Sequence, residues 1–386
     1  MLRDQGMADE LKNFIIDRIR DGGPITFATF MDWCLYHPLY GYYSSGTARI
    51  GKQGDFYTAP CVHPVFGGLV ARQLCQMNEI LGGKTFTILE IGAGRGFLCA
   101  DILAWIKQHD QECYGRLEYV ICELSPFFRE EQRERLMEEV GRGKVHWMSR
   151  EDLIAQGCSL NGCIIANELV DAFPVHRIVG EQGGLKEIYV AECDGRFIES
   201  RDKLSDPLLS TYFSVLGIQL AEQQEAEVNL QAWQWLEEMG RLLKCGFLMT
   251  IDYGCLAAEL YDPGRRQGTL RCFYHHQLTD SPYENLGLQD ITAHVNFTSL
   301  IRKGSEIGLD FTGLVPQYRF LMAMGLLEEI TEISHGMSPE ESLQLRLSLK
   351  HLIDPEMGMG EVFKVLIQHR GIEKPKLRGL KELRAL

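Results

Sequence analysis

Missing from this chain of 386 residues is any apolar run long enough to cross a bilayer as a helix. The first residues, MLRDQGMADELKNF, mix acids with bases and have no apolar signal core, so no secretory peptide is expected. These absences predict a cytoplasmic protein without membrane insertion. The 12 cysteines are scattered and none forms a C-x-x-C. They are expected as small buried apolar residues in a reducing compartment, and no metal site is expected. A large basic block is absent too, and the formal net charge is −14, which argues against a nucleic-acid partner. No internal repeat is found. What remains, with 45% hydrophobic residues, is enough for one large domain with additions, or for two.

The stretch that orders the rest is Thr85–Gly96, T-F-T-I-L-E-I-G-A-G-R-G. An apolar, β-branched run ends in Glu90 and then in glycines at 92, 94 and 96, and a helical pattern follows from Phe97 to about His109. A strand that stops, turns tightly on glycine and enters a helix presents free N–H groups to a nucleotide-type ligand. Downstream, strand patterns at 117–123, 144–148, 163–166 and 246–252 alternate with helical ones at 127–140 and 230–243. That alternation predicts a parallel-rich sheet with helices on both faces. Upstream, helices are expected over 8–20 and 25–36, the second capped by Thr26, and again over 66–81.

Between the upstream helices lies His37–Pro64, dense in Gly, Pro and Tyr, read as an aromatic lid in which Tyr40, Tyr42, Tyr43 and Phe56 stack on a ligand or pack a small core. Pro174–Val179 and Lys186–Ala191 read as a hairpin, 192–228 as an excursion of weak periodicity, 255–295 as irregular, and Val362–Gln368 as a last strand. The domain reading is therefore a cap and lid over 1–80, a core over 81–370 with insertions after the fourth and fifth strands near 175–228 and 255–305, and a basic tail over 371–386 that is mobile or at most a surface helix.

Which cofactor the glycine turn takes depends on the acids around it. Strand two, Y-V-I-C-E-L, ends in Glu123, where a carboxylate accepts from ribose hydroxyls in Rossmann-type sites generally. Glu90 is more discriminating: a carboxylate beside the turn repels a pyrophosphate and favours a cation. S-adenosylmethionine, with a sulfonium, an ammonium and no phosphate, satisfies both acids, and a nicotinamide coenzyme does not. The expected cofactor contacts are Glu90, Gly92, Ala93, Gly94, Gly96, Glu123 and Leu124. Asp152 and Leu153 are added as adenine contacts, with Asp55 and Thr58 from the lid.

The elements F-M-D-W-C-L-Y-H-P-L-Y-G-Y-Y-S, G-D-F-Y-T-A-P, L-E-I-G-A-G-R-G, E-L-S-P, A-N-E-L-V-D-A-F-P-V, I-D-Y-G, G-T-L-R, T-A-H-V-N-F and M-G-E-V-F-K-V-L occur in this order across residues 24 to 370. Together they resemble the MidA-like family. The resemblance implies a class I methyltransferase (Rossmann-like) fold and S-adenosylmethionine as donor. It also implies a protein arginine as acceptor, with a respiratory complex I subunit as the expected target in an assembly role. The chain departs from the family pattern at Ala93, where a proline is usual, at Cys61 and His63 after T-A-P, and at Asn296, where an aspartate is usual.

A planar guanidinium pairs with carboxylates, and the end of the fourth strand supplies two, Glu168 and Asp171, three apart on one turn. These are the expected catalytic residues, with Asn167 at the methionine end of the donor. Tyr253 and His294 are expected to face the acceptor, while His275 and His276 are as readily ordinary histidines. Set against this reading are a non-catalytic S-adenosylmethionine-binding docking protein, a methyltransferase acting on a small molecule or RNA, and a nicotinamide oxidoreductase. The residues leave a homo-oligomer open.

Overall fold

The computed structural model describes residues 2–46, 59–82, 85–157, 159–275, 277–279, 281–354 and 359–381. Its frame is a sheet of β1 (Phe86–Ile91), β2 (Leu117–Cys122), β3 (Val145–Trp147), β4 (Leu160–Asn167), β5 (Leu243–Cys255), β6 (Asp310–Pro316) and β7 (Phe363–Arg370), in the order β6-β7-β5-β4-β1-β2-β3. β1 pairs parallel with β2 and β4, β2 with β3, and β4 with β5, whereas β7 runs antiparallel between β5 and β6. The chain leaves β1 towards one edge and returns to β4 on the other side. The reversal opens a crevice at the carboxyl ends of β1 and β4, where sheets of this kind bind ligands.

Both faces of the sheet are buried, which is why its strands read as continuous apolar runs rather than as alternating ones. One face packs helices Val65–Leu81 and Phe97–His109, with Phe66, Leu69, Ile102 and Leu103 fully buried. The other packs helices Leu230–Leu242 and Phe297–Glu306 through Leu236, Met239 and Phe297. Helix Phe97–His109 has the bounds read from the sequence, because left-handed Gly96 starts it and Asp110 caps the helix that follows. Thr26 caps its helix as expected, its hydroxyl accepting from the Thr29 N–H, although that helix starts at Phe27 after two strand residues.

The N-terminal cap, helices Leu2–Gly22 and Phe27–Tyr36, packs against a second, antiparallel sheet built from the insertion after β4. The expected hairpin is present as His176–Glu181 and Gly184–Cys193. The excursion over 192–228 is more ordered than its pattern promised. It contributes strands Arg196–Asp202 and Glu225–Val228 to that sheet and helix Pro207–Leu216 to its packing. Strand Arg196–Asp202 is largely solvent-facing, so it carries no burial alternation to read.

The tail corrects another expectation. Residues 377–381 dock on helix Val65–Leu81: Leu377 is buried, and the Gln76 and Gln73 amide oxygens accept from the Arg378 and Gly379 N–H groups at 2.9 Å each. Among the described residues, no helix is long and apolar enough to cross a membrane.

Candidate functional site

A cavity of about 530 Å³ opens at the crevice between β1 and β4. Its floor is the glycine turn, in which Gly92, Gly94 and Gly96 have φ of 68°, 52° and 75°. A Cβ on Gly92 would lie 2.8 Å from Leu169 Cδ1, and one on Gly96 would lie 3.1 Å from Gln132 Cγ. The turn is therefore a cradle that only glycine fits, and it delivers the helix at Phe97 with its free N–H groups next to the cavity.

The acids stand where the sequence placed them. Glu123 is buried at the end of β2, its two oxygens accepting from the Gly94 N–H at 3.0 Å and the Ser125 N–H at 2.9 Å. Burial pushes its carboxyl up, and these N–H donors oppose the rise. Glu90 is almost fully buried and accepts from the Tyr119 hydroxyl at 2.7 Å. Burial raises its carboxyl to about 7, the tyrosine opposing and the charge of Glu123 adding. Gln132, which the sequence reading missed in mid-helix, ties this corner together. Its amide donates to Gly94 O at 2.6 Å, and its oxygen accepts from the Trp147 indole N–H at 2.7 Å. The basic side chains on the described wall, Arg95 and Arg150, are already paired, with Glu131 (2.6 Å) and Glu238 (2.8 Å). Among the described residues, the pocket thus offers carboxylates and glycine N–H groups without a free cation for a pyrophosphate.

At the end of β4, Asn167 and Glu168 line the cavity. Glu168 has a left-handed backbone, φ 51°, and its N–H donates to Ile251 O at 2.8 Å. The turn after it hangs on Asp252 of β5, whose Oδ2 accepts from the N–H groups of Leu169 (3.2 Å), Val170 (2.9 Å) and Asp171 (3.3 Å). Glu168 Oε1 accepts from the Ala59 N–H at 2.8 Å, which ties the end of the lid to this turn. Although the residue keeps surface on the cavity side, burial pushes its carboxyl up to about 8, opposed by the Ala59 N–H and aided by the Asp252 charge. Asn167 Oδ1 is buried without a hydrogen-bond partner.

Not every expected residue converges here. Asp152 is exposed and does not line the cavity; its carboxylate accepts from the Ser149 hydroxyl at 2.7 Å in the cap of helix Arg150–Gln156. Helix capping, not adenine recognition, accounts for it, while Leu153 and Leu124 do line the pocket. Asp171, Tyr253 and His294 lie together, off the cavity wall, at the carboxyl ends of β4 and β5. Asp55, Thr58 and Phe56 fall outside the described residues, as does His276.

Of the lid aromatics, Tyr42 is fully buried in the cap core and Tyr40 stacks on His37, so these two pack a satellite core. Tyr43 does line the cavity, beside Tyr36. Cys61 lines it too. The wall formed by helix Leu230–Leu242, with Trp235 and Met239, was not read as part of the site, because its apolar stripe looks like that of any core helix. Asn296 caps helix Phe297–Glu306 and donates to the Tyr212 hydroxyl at 2.9 Å, a role that needs no charge. Elsewhere, Cys75, Asp110 and Cys113 bring one ligand atom each to within 4.8 Å of one another, a grouping their sequence spacing does not reveal.

A parallel sheet in this order, with a glycine turn after β1 and an acid closing β2, defines a Rossmann-like methyltransferase fold of class I. The family model for S-adenosyl-L-methionine-dependent methyltransferases matches residues 69–315, and the chain belongs to that family. A solved structure from Burkholderia thailandensis, bound to S-adenosyl-homocysteine, superimposes with a TM-score of 0.86 at 30% identity, covering 98% of this chain and 96% of its own. Among curated relatives, the Drosophila melanogaster protein named "Protein arginine methyltransferase NDUFAF7 homolog, mitochondrial" is 29% identical over 92% of this chain and 84% of its own. The Mus musculus protein named "Protein arginine methyltransferase NDUFAF7, mitochondrial" is also 29% identical, over 92% of this chain and 83% of its own.

The chain is thus an S-adenosylmethionine-dependent methyltransferase, and the glycine cradle with its two acids fits that donor. The expectation of a cytoplasmic location is corrected, since the curated relatives are named as mitochondrial. Reduced cysteines are as compatible with another reducing compartment as with the cytosol, so composition did not discriminate.

Two consequences of this geometry are measurable. Gly92→Ala forces a side chain into a left-handed position and against Leu169, at an expected cost of about 1–3 kcal/mol. Calorimetric titration with S-adenosylhomocysteine is expected to show affinity reduced about tenfold or more; an unchanged affinity would mean that the cradle is not tight.

The second concerns pH. Glu168 holds its proton up to about 8 in the folded ligand-free protein, against an ordinary value of 4.5. Between those values the folded state binds more protons than the unfolded chain, so this contribution to stability is complete below pH 4.5 and is lost as pH rises through 8. Urea unfolding of the ligand-free protein at pH 6 and pH 8.5 is expected to show a smaller loss of stability for Glu168→Gln than for the wild type.

Proposed function

We propose that this methyltransferase acts on an arginine side chain of a partner protein. The observation that carries the reading is the set of carboxyls at the carboxyl ends of β4 and β5, Glu168, Asp171 and Asp252, with Asp290 beside them. Burial first, then the negative charges of Asp252, Asp290 and Glu168, raise the Asp171 carboxyl, so a cation brought beside the group from outside the chain is favoured there. The names of the curated relatives support the same acceptor.

Bound S-adenosylmethionine supplies a methyl group on sulfonium: the acceptor nitrogen's lone pair forms the N–C bond while the C–S bond breaks and its electrons pass to sulfur. The chain's own residues bring that nitrogen into line and keep water out. Carboxylates gripping one edge of a guanidinium draw its charge to that side and leave the opposite nitrogen freer to attack. Glu168 faces the cavity and is well suited to take the proton that leaves the methylated nitrogen. A guanidinium beside it favours its ionised form, and after transfer a carboxyl of high intrinsic pKa accepts readily.

The test has two arms. Calorimetry should give binding of S-adenosylhomocysteine and none of NAD. Incubation of a native lysate with donor labelled in the methyl group, followed by mass spectrometry, should place label on arginine. A respiratory complex I subunit is the target proposed from the MidA-like resemblance. Donor binding without any labelled protein would replace this reading by a docking role, and label on a metabolite would move the acceptor to a small molecule.

A further inference from the structure

Where the acceptor sits can be argued more closely than its identity. The turn after β4 and the segment 290–294 are locked together, since the Ala293 N–H donates to Asp171 O at 3.0 Å. Next to this lock Val295–Asn296 pairs with the end of β5, so Tyr253 and His294 meet edge to face with ring centroids 5.1 Å apart. From the cap, the Tyr43 hydroxyl donates to Asp290 Oδ1 at 2.9 Å, and the Tyr36 hydroxyl to Ala172 O at 3.0 Å. Three separated parts of the chain thus meet in one buried polar cluster next to Tyr36 and Tyr43, which themselves line the donor cavity.

Inside that cluster hydrogen-bonding groups are left over. Asp171 Oδ1, Tyr253 Oη, Thr292 Oγ1 and His294 Nδ1 are all buried without a hydrogen-bond partner. Asp171 is 7% exposed and Thr292 2%. Buried polar atoms are normally satisfied, and each one left bare costs about 1–3 kcal/mol. The Tyr253 and Thr292 hydroxyls are close enough to act on each other, and with Asp171 Oδ1 and His294 Nδ1 beside carboxyls they describe a seat for a ligand that donates hydrogen bonds and carries positive charge. A guanidinium has five N–H donors in one plane and no acceptor.

We infer that the carboxyls of Asp171 and Asp290, with the Tyr253 and Thr292 oxygens and His294 Nδ1 around them, are the seat of the acceptor guanidinium. This rests on the arginine-directed reading above and assigns its substrate pocket. It differs from a clamp made by Glu168 and Asp171 alone: Asp171 and Asp290 take one edge of the guanidinium, and the nitrogen to be methylated is left on the side of Glu168 and the donor. Glu168 Oε1 is engaged by the Ala59 N–H at the cavity wall, whereas Asp171 is off that wall and has Asp252 and Asp290 as its nearest charged neighbours. His294 fits as an acceptor because burial, with Arg265 and Arg271 nearby, holds its imidazole down to about 4 and therefore neutral.

The groups facing Asp171 are Glu168 in its own turn, Asp252 and Tyr253 of β5, Asp290 and His294 of the following segment, and Tyr36 and Tyr43 of the cap. Ligand-free, burial and the neighbouring carboxyls push the acid well above the ordinary carboxyl range. A guanidinium favours the ionised form, so its binding releases a proton and tightens as pH rises.

The probe is methylguanidinium, observed by ligand NMR on the full chain saturated with S-adenosylhomocysteine, with methylammonium as the comparison. Wild type is expected to bind methylguanidinium about tenfold more tightly than methylammonium, with affinity rising from pH 6 to pH 8. Asp290→Asn should lower that affinity about tenfold and Thr292→Val several-fold, both leaving S-adenosylhomocysteine affinity within twofold. Thr292→Val is nearly isosteric and keeps the test open should Asp290→Asn fold poorly. Methylguanidinium affinity unchanged in both variants, or equal to that of methylammonium in wild type, overturns the assignment even if arginine is methylated. Wild-type protein that binds no S-adenosylhomocysteine, or labels no arginine in lysate, fails at the earlier step and is recognised by that separate measurement.

Discussion

Glu123→Ala is expected to weaken S-adenosylhomocysteine binding by about 10²–10³-fold with little loss of fold stability. The carboxylate accepts from Gly94 and Ser125 N–H groups, so it both shapes the glycine turn and closes the end of β2. Hydrogen bonds to a charged acceptor contribute about 1.5–3 kcal/mol each, so losing those a carboxylate here offers to ribose hydroxyls, on a turn no longer held to shape, costs about 3–4 kcal/mol of binding. The ligand-free protein feels less of this, because burying the acid already works against its charged form and alanine removes that penalty. Glu123→Gln keeps one acceptor oxygen and is expected near tenfold. Calorimetric affinity beside urea unfolding separates the two effects; equal losses in both would make Glu123 a stabilising residue rather than a binding one.

The second large effect is expected at Asp252→Ala. Here the fold should suffer first, because one carboxylate oxygen holds the N–H groups of Leu169, Val170 and Asp171, and the other accepts from the Tyr253 N–H at 2.9 Å. Stranding them costs about 1–3 kcal/mol for each that water cannot reach, for an expected total of about 3–5 kcal/mol. Relief of repulsion from Glu168 and Asp171 works in the other direction. It is the smaller effect, because burial already lets these carboxyls hold protons, Asp252 itself being raised to about 7. Asp252→Asn retains an acceptor oxygen and should lose less than half as much. Methyl transfer should fall further than donor affinity in both variants, since the turn they release carries the acceptor side of the site. Retention of full turnover by Asp252→Ala would show that the turn holds its shape without this anchor.

Much of this was legible before any coordinates. The glycine turn, the acids Glu90 and Glu123, and helix Phe97–His109 are written locally, in strand-end residues, left-handed glycines and caps, and they stand where the sequence put them. What could not be read is whatever depends on distant segments meeting. Asp290 and Thr292 come to Asp171 only because 290–296 folds back across the end of β5. Gln132 is an ordinary polar residue on an amphipathic helix until Trp147 and Gly94 arrive on either side of it. Asp152 failed for the opposite reason, a local cap with Ser149 outcompeting a long-range role.

The left-handed backbone at Glu168 has a practical result for anyone wishing to dissect this enzyme. Alanine there inherits the left-handed conformation that glutamate already bears, so the strain cancels between the two and the phenotype reports the carboxyl. Glycine adopts that geometry freely and gains about 1 kcal/mol of backbone relief that would mask part of the lost side chain. Glu168→Ala is therefore the cleaner excision, and Glu168→Gly beside it measures what the bend of the chain costs.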